Sequence, residues 1–326
     1  METIETTRNL EAVKKGRVLT IGNFDGVHLG HQEILTIAKQ TAVQKATELI
    51  VMTFEPHPLA VLYPQKSASI LTPLTLKKHL LTKFNVDCLF ILESNLELLS
   101  LSPANFVERF LVKNIQPEVV IEGENFNFGS ARTGSIHTLK KLGAEKGFEV
   151  VEIKSKEVKL STGQTAKISS TLIRDMLTDG KVADATVALG RPYRLIGKVI
   201  PGCGKGKQLG FPTLNLEKPQ QIVPMEGVYA GTVELADNLE GVCGAKKRIP
   251  AVFSIGRATT YGQGQSLLIE AHLLIDNAEQ FTGRWMAMDL IKHLRKQQKF
   301  KTETELSAQI EKDCEKTKRI LEDIID

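Results

Sequence analysis

Apolar residues recur along this chain with two different rhythms, and the change comes near Gly190-Arg191-Pro192. Before it, short apolar runs alternate with helical patterns. Arg17–Ile21 reads as a strand, Glu33–Thr47 has Ile34, Ile37, Ala38 and Ala42 at helical spacing, and Leu49–Phe54 reads as a second, buried strand. Further strands are predicted at Cys88–Leu92, Val119–Glu122 and Phe148–Ile153, with a helix over Ile136–Lys146. Such repetition implies right-handed crossovers and a mostly parallel sheet. After the change, Tyr193–Ile200, Gly227–Leu235, Arg248–Ile255 and Ser266–Leu274 are strand-like runs separated by glycine and proline. Short strands with turn signals and little helix predict an antiparallel β-barrel or sandwich. One long helix closes the chain, Thr302 to about Ile324, with Leu306, Ile310, Cys314 and Thr317 on one stripe. At 326 residues two domains are predicted, residues 1–185 and 186–326.

Composition narrows the class. A charged fraction of 25% and a hydrophobic fraction of 42% suit a globular protein with a core in each half. The net charge of +4 is mild and forms no concentrated basic stripe, so no nucleic-acid partner is expected. Cys88, Cys203, Cys243 and Cys314 lie far apart with no C-x-x-C pair, which suggests neither a zinc site nor a disulfide framework. The first residues, METIETTRNLE, contain acids and no apolar signal region. No apolar run approaches the roughly 20 residues a membrane span requires. A cytoplasmic setting is expected.

The segment Gly22-Asn23-Phe24-Asp25-Gly26-Val27-His28-Leu29-Gly30-His31 joins the first strand to the first helix. That is where parallel α/β sheets bind ligands, beyond the carboxyl ends of their strands. Glycines let the backbone approach a ligand, and the helix start offers unpaired N–H groups to an anion. His28 and His31, three residues apart, can turn both imidazoles toward one phosphate. Two such donors suit charge building on a transferring α-phosphate. A lone H-x-x-H pair would sooner be a capping loop with two incidental histidines; the glycines, the strand and the amphipathic helix favour a ligand site. Zinc is disfavoured because no third ligand is placed nearby. Farther on, Ser169 or Ser170 can cap a helix with Arg174 one turn inside it. Taken alone, this fits a solvated arginine as well as a phosphate clamp.

In the second half, Gly202-Cys203-Gly204-Lys205-Gly206-Lys207-Gln208-Leu209-Gly210 alternates glycine and lysine, followed by Phe211-Pro212-Thr213-Leu214-Asn215. The pattern suits a cationic flap over a polyphosphate, or simply a basic loop; no G-K-[ST] makes it a Walker A sequence. In SLLIEAHLL, Ser266–Leu274, a period of two puts Glu270 and His272 on one face and Ile269, Ala271 and Leu273 on the other. This fits a surface glutamate on an edge strand, or a functional carboxylate on an inner or end face.

Taken in order, these segments resemble bacterial bifunctional riboflavin kinase/FAD synthetases over nearly the whole chain. GNFDGVHLGH resembles the H-x-G-H signature of nucleotidylyltransferases, Phe54-Glu55-Pro56-His57-Pro58 the family's F-x-P-H-P, and Ile168–Arg174 its S-S-T-x-I-R. Gly123-Glu124-Asn125-Phe126-Asn127-Phe128-Gly129 resembles G-x-D-F-x-F-G, with Asn125 where the family often has an acid. Pro212-Thr213-Leu214-Asn215 resembles the kinase motif P-T-A-N, with a leucine expected to point away from ligand. Thr259 and Gln297 depart from S-I-G-x-x-P-T-F-G and L-R-x-E-x-K-F, where the family has proline and an acid.

The resemblance implies an N-terminal Rossmann-like nucleotidylyltransferase domain and a C-terminal antiparallel barrel with kinase activity and a terminal helix. It implies phosphorylation of riboflavin to FMN, then adenylyl transfer from ATP to FMN giving FAD and pyrophosphate, with Mg²⁺ or another divalent cation. Gly22, Asn23, Phe24, Asp25, Gly26, His28, His31, Ser170 and Arg174 would bind ATP for adenylyl transfer, with Asn125 and Phe126 on a flavin or nucleotide loop. Gly204, Lys205, Gly206, Lys207, Gly210, Thr213 and Asn215 would bind ATP in the kinase, Thr213 and Asn215 also holding the metal. Arg295 would bind flavin there, and Glu270 would be the general base. Riboflavin, FMN and ATP are the expected partners of a monomer or weak homo-oligomer, without a membrane.

Overall fold

A computed structural model of the chain describes residues 1–5, 15–65, 70–202, 204–245, 247–258, 266–275, 281 and 283–325. It divides into two compact units, Met1–Val158 with Thr165–Ser169, and Lys159–Gln164 with Ser170–Asp326. Thr259 and Cys203 lie outside the described residues, as does the side chain of Lys205.

The first unit is built on β1 (Glu2–Glu5), β2 (Val18–Ile21), β3 (Leu49–Glu55), β4 (Cys88–Glu93), β5 (Val119–Gly123) and, after a hairpin of β6 (Asn127–Phe128) and β7 (Gly134–Ser135), β8 (Glu149–Ile153). The main sheet has the order β1-β4-β3-β2-β5-β8 and is parallel throughout. Its central strands are buried at every position from Val18 to Ile21 and from Leu49 to Thr53, as expected of a sheet covered on both faces. Leu19, Ile21, Ile50, Met52, Phe90 and Phe110 share one apolar cluster. The first helix runs Leu29–Gln44, earlier than the apolar spacing alone predicts, because His28 caps it: its Nδ1 accepts the His31 N–H at 3.3 Å.

From β2 the chain turns to β3 on one side, while β5 lies on the other, so the order reverses between β2 and β5. Their pairing ends at Leu19↔Val120. Beyond it the Glu122 carboxylate takes the place of backbone, accepting the Ile21 N–H and, at 3.2 Å, the Thr20 hydroxyl.

The second unit contains the helices Ser170–Thr178 and Val182–Leu189 and a closed barrel. A separate two-stranded sheet, β9 (Glu157–Lys159) and β10 (Thr165–Lys167), precedes them. The barrel strands are β11 (Tyr193–Ile200), β12 (Leu214–Leu216), β13 (Gly227–Ala236), β14 (Ile249–Ala258), β15 (Ser266–Leu273) and β16 (Trp285–Arg295), closed in the order β11-β12-β15-β14-β13-β16 with every pair antiparallel. Closure decides for a barrel over a sandwich and leaves no unpaired edge. Ile269, Ala271 and Leu273 are buried on the inward face with Ala251, Phe253 and Ile255. On the outer face, Val228 and Val252 pack with Cys314 and Ile310 of the terminal helix Glu303–Ile325.

Candidate active sites

At the sheet's ligand end, Gly22–Val27 is a tight, enclosed loop. Phe24 and Val27 adopt left-handed backbone at φ 45° and 40°, a costly conformation for a β-branched valine, and both side chains are buried. Such strain persists only where surrounding contacts over-determine it. Asp25 supplies those contacts: its carboxylate accepts the Leu71 N–H at 2.9 Å and the Thr72 N–H at 3.0 Å, and the Thr72 hydroxyl receives the Gly26 N–H at 3.0 Å. Asp25 therefore holds the loop in shape, with its carboxylate engaged by protein backbone.

His28 and His31 stack, with ring centroids 3.6 Å apart and planes 15° from parallel, and Phe24 lies 5.1 Å from the His31 ring. Burial, then the neighbouring His28 and Lys77, hold the His31 pKa well below the ordinary imidazole value. Burial therefore favours the neutral imidazole at His31. Beneath the loop, Lys77 is a buried lysine on the helix Leu74–Thr82, its ammonium 3.5 Å from Thr53 Oγ1. Burial lowers its pKa, while Asp25 and Glu55 oppose that shift. Glu55 is raised by burial, and Glu122, fully enclosed, is raised well above the carboxylate range. Sequence reasoning passed over Lys77, although its position three residues after Leu74 and three before Leu80 sets it on that helix's apolar stripe.

Asn125 is exposed and donates to Ser155 Oγ at 2.7 Å, whereas Phe126 packs on the core and stacks on Phe128 at 5.4 Å. Ser170 opens the helix Ser170–Thr178 and Arg174 lies one turn inside; both belong to the second compact unit.

The kinase-like motif gathers around β12 and β15. Asn215 and Glu270 are register partners, so their side chains share a face, and the Thr213 hydroxyl lies 3.4 Å from Glu270 Oε1. That face is the outer one, opposite Ile269 and Ala271, on a strand paired on both sides. Leu214 pairs with Ala271 and is buried inward, away from Asn215. Burial raises the Glu270 pKa, and the Thr213 hydroxyl partly opposes the shift. The glycines of the flap permit its close approach: a Cβ on Gly202 would stand 2.1 Å from Asn215 Nδ2, and one on Gly206 2.5 Å from the Phe211 carbonyl. Lys205–Gln208, which includes Gly206, makes a single helical turn. His272 Nδ1 lies 2.9 Å from the Pro212 carbonyl, fixing the other end of the motif.

The polar strip continues through Ser254, the register partner of Glu270 on β14. Gln297 donates to Ser254 Oγ at 3.1 Å and to the Ile255 carbonyl at 3.0 Å. An acid there would set a carboxylate against a carbonyl oxygen, so the amide suits this fold. Arg295 is engaged by Asp313 of the terminal helix, Nε to Oδ2 2.9 Å and Nη2 to Oδ2 2.8 Å. Thr213, Asn215 and Glu270 offer hard oxygen donors of the kind magnesium takes beside a nucleotide.

A family model described as FAD synthetase matches residues 10–172, and one described as riboflavin kinase matches residues 189–321. The chain is 36% identical over 315 residues to a bifunctional riboflavin kinase/FMN adenylyltransferase of Escherichia coli (strain K12), covering 96% of each chain. A protein of the same description from Bacillus subtilis (strain 168) is 35% identical over 322 residues, again with 96% of each covered. Among solved structures, one described as a macrolide-efflux protein from Streptococcus pneumoniae is similar at 26% identity and a TM-score of 0.83, covering 98% of this chain and 99% of that one. Among the described residues here, no helix is long and apolar enough to cross a membrane.

Proposed function

We propose, on the premise that the chain belongs to the family of bifunctional riboflavin kinase/FMN adenylyltransferases, an assignment of its two reactions to named residues. The enzyme phosphorylates riboflavin to FMN with ATP and transfers an adenylyl group from ATP to FMN, giving FAD and pyrophosphate. Adenylyl transfer is assigned to residues 1–185 and phosphorylation to residues 186–326, which the two family matches support.

In the kinase, Glu270 orients the terminal ribityl hydroxyl and accepts its proton as that oxygen attacks the γ-phosphorus of ATP, the bond to the β,γ-bridging oxygen breaks and ADP leaves. The observation that carries this is the shared face of Asn215 and Glu270 with the Thr213 hydroxyl against the carboxylate. Burial keeps Glu270 more basic than an exposed glutamate, as a general base requires. Thr213 and Asn215 would hold Mg²⁺, which neutralises charge on the phosphate oxygens when bound. The glycine–lysine flap, Gly204, Lys205, Gly206, Lys207 and Gly210, covers the polyphosphate.

In the transferase, an FMN phosphate oxygen attacks the α-phosphorus of ATP and pyrophosphate leaves. His28 and His31 donate hydrogen bonds to the charge developing there, in a loop braced by Asp25. The roles of Ser170, Arg174, Asn125 and Arg295 rest on the resemblance of their motifs. The same reading takes the chain as a cytoplasmic monomer or weak homo-oligomer acting on small molecules without nucleic acid, supported by its mild net charge of +4.

Purified protein incubated with riboflavin, ATP and Mg²⁺, with flavins separated chromatographically, should show FMN first and FAD after it. FMN that accumulates without FAD would overturn the assignment of the first unit.

A further inference from the structure

Lys77 is 3% exposed, and among the described residues its ammonium makes one hydrogen bond, the long contact to Thr53 Oγ1 at 3.5 Å. An ammonium has three protons to place, and an enclosed one with a single weak partner is expensive to keep. Thr53 in turn donates to the Asn23 carbonyl at 3.3 Å, so the lysine reaches toward the strained loop that bears the histidines. Two more enclosed polar atoms there have no hydrogen-bond partner among the described residues, His31 Nδ1 and Asn23 Oδ1. Lys77 is close enough to help depress the His31 pKa. Asp25 and Glu55 only partly offset the cost of its burial. Asp25 is turned to Leu71 and Thr72, and burial favours the neutral form of Glu55.

We propose that Lys77 binds the ATP polyphosphate during adenylyl transfer, its ammonium turning from Thr53 Oγ1 to a phosphate oxygen beside His28 and His31. Polyphosphate fits because the flexible lysine stem can present a point charge to a tetrahedral oxyanion, while the stacked imidazoles supply further hydrogen-bond donors. The proposal rests on reading the Gly22–His31 segment as the nucleotide loop.

The test uses full-length Lys77→Met and Lys77→Arg with FMN as the only flavin, ATP varied, and FAD measured chromatographically. Lys77→Met should lower kcat/KM for ATP by about 10²-fold and change KM for FMN by less than about three-fold. Lys77→Arg, which keeps the charge, should recover at least about ten-fold of that loss. Riboflavin phosphorylation, assayed separately, should be unchanged, and the unfolding midpoint should not fall, because methionine removes a buried charge at similar size. A kcat/KM for ATP within about three-fold of wild type would overturn the proposal. So would equal losses toward ATP and FMN with a lowered midpoint and no rescue by arginine, the pattern of a structural lysine. If Lys77→Met does not fold, Lys77→Gln, which also removes the charge, replaces it. A change in kcat/KM for ATP larger than the change in KM for FMN supports the proposal, and equal changes overturn it. His28→Ala with His31→Ala, run alongside, separates the two failures. FAD formation surviving in that variant removes the nucleotide loop and Lys77 with it, whereas its loss beside an active Lys77→Met removes only Lys77.

Discussion

Glu270→Gln isolates the proton-accepting role of the kinase carboxylate. Glutamine matches glutamate in size and keeps an oxygen for the Thr213 hydroxyl, which lies 3.4 Å from Oε1. The register with Asn215 and Ser254 is a backbone property and should survive. What disappears is the capacity to take a proton, and losing a general base usually costs about 10²-fold or more in rate. That is about 2.7 kcal/mol of barrier. Wild type should also show an acid limb in kcat/KM for riboflavin, falling as pH drops through the Glu270 pKa. Because burial raises that pKa, the limb should lie above the range of an exposed carboxylate. The assay is FMN formation from riboflavin and ATP across pH, with FAD formation from supplied FMN as a control that should stay unchanged. Turnover within about three-fold of wild type, or an acid limb that persists in the variant, would refute the general-base role. His272, on the same strand face, would then be the next residue to test.

Three further outcomes are expected. His28→Ala with His31→Ala should abolish FAD formation, each lost donor costing about 10²–10³ in rate, while FMN formation continues; unchanged FMN-to-FAD turnover in the folded variant would exclude the histidines. Gly202→Ala places a Cβ 2.1 Å from Asn215 Nδ2, so Asn215 must move by about 1 Å, enough to slow riboflavin phosphorylation by up to about 10²-fold without affecting FAD formation from FMN. Full kinase activity in that variant would show that Asn215 need not stay where the flap leaves it. Glu122 keeps its proton to a higher pH when folded than when unfolded, so its stability contribution is full below the unfolded pKa and declines as pH rises from there toward the folded value. Glu122→Gln removes that decline, and its gain over wild type in urea unfolding should grow as pH rises above the ordinary carboxylate range, by up to about 1.4 kcal/mol per pH unit; a gain that shrinks with rising pH would contradict the buried neutral carboxyl.

The parallel strands were legible because a doubly covered sheet writes continuous apolar runs, and β2 to β5 and β8 are found where those runs lie. β1 was not, having only Ile4 buried among four residues. β12 is three residues long, too short for any periodicity. β16 breaks its apolar run with Asp289, whose burial makes sense only once Arg194 lies across from it on β11, Nε to Oδ1 2.8 Å. The change of rhythm near Gly190 marks where the barrel strands begin, yet the helices Ser170–Thr178 and Val182–Leu189 already belong with the barrel unit. Contacts between distant segments decide that, and helical spacing is blind to them. In the sites, spacing led to the paired histidines and to the strand face shared by Glu270 and His272, whereas Thr213 and Asn215 came from the resemblance of their motif. Lys77 and Glu122 stayed hidden because a charged residue's burial is set by what packs over it. Asp25 was legible as a loop residue, but its engagement by Leu71 and Thr72 was not, since 46 residues separate it from Leu71.

The brevity of β12 makes register a matter of chemistry as well as of packing. Leu214 faces the barrel interior and Asn215 faces outward beside Glu270, and the strand has only one residue more. A slip of one position during folding would exchange these faces, sending the amide into the apolar interior and a leucine to the face of Glu270. Such a molecule would retain nearly all its strands and look native by circular dichroism while phosphorylating nothing. Kinase activity is therefore a stricter gauge of correct refolding for this chain than secondary-structure content, and recovery of activity should lag recovery of ellipticity whenever the slipped pairing forms first.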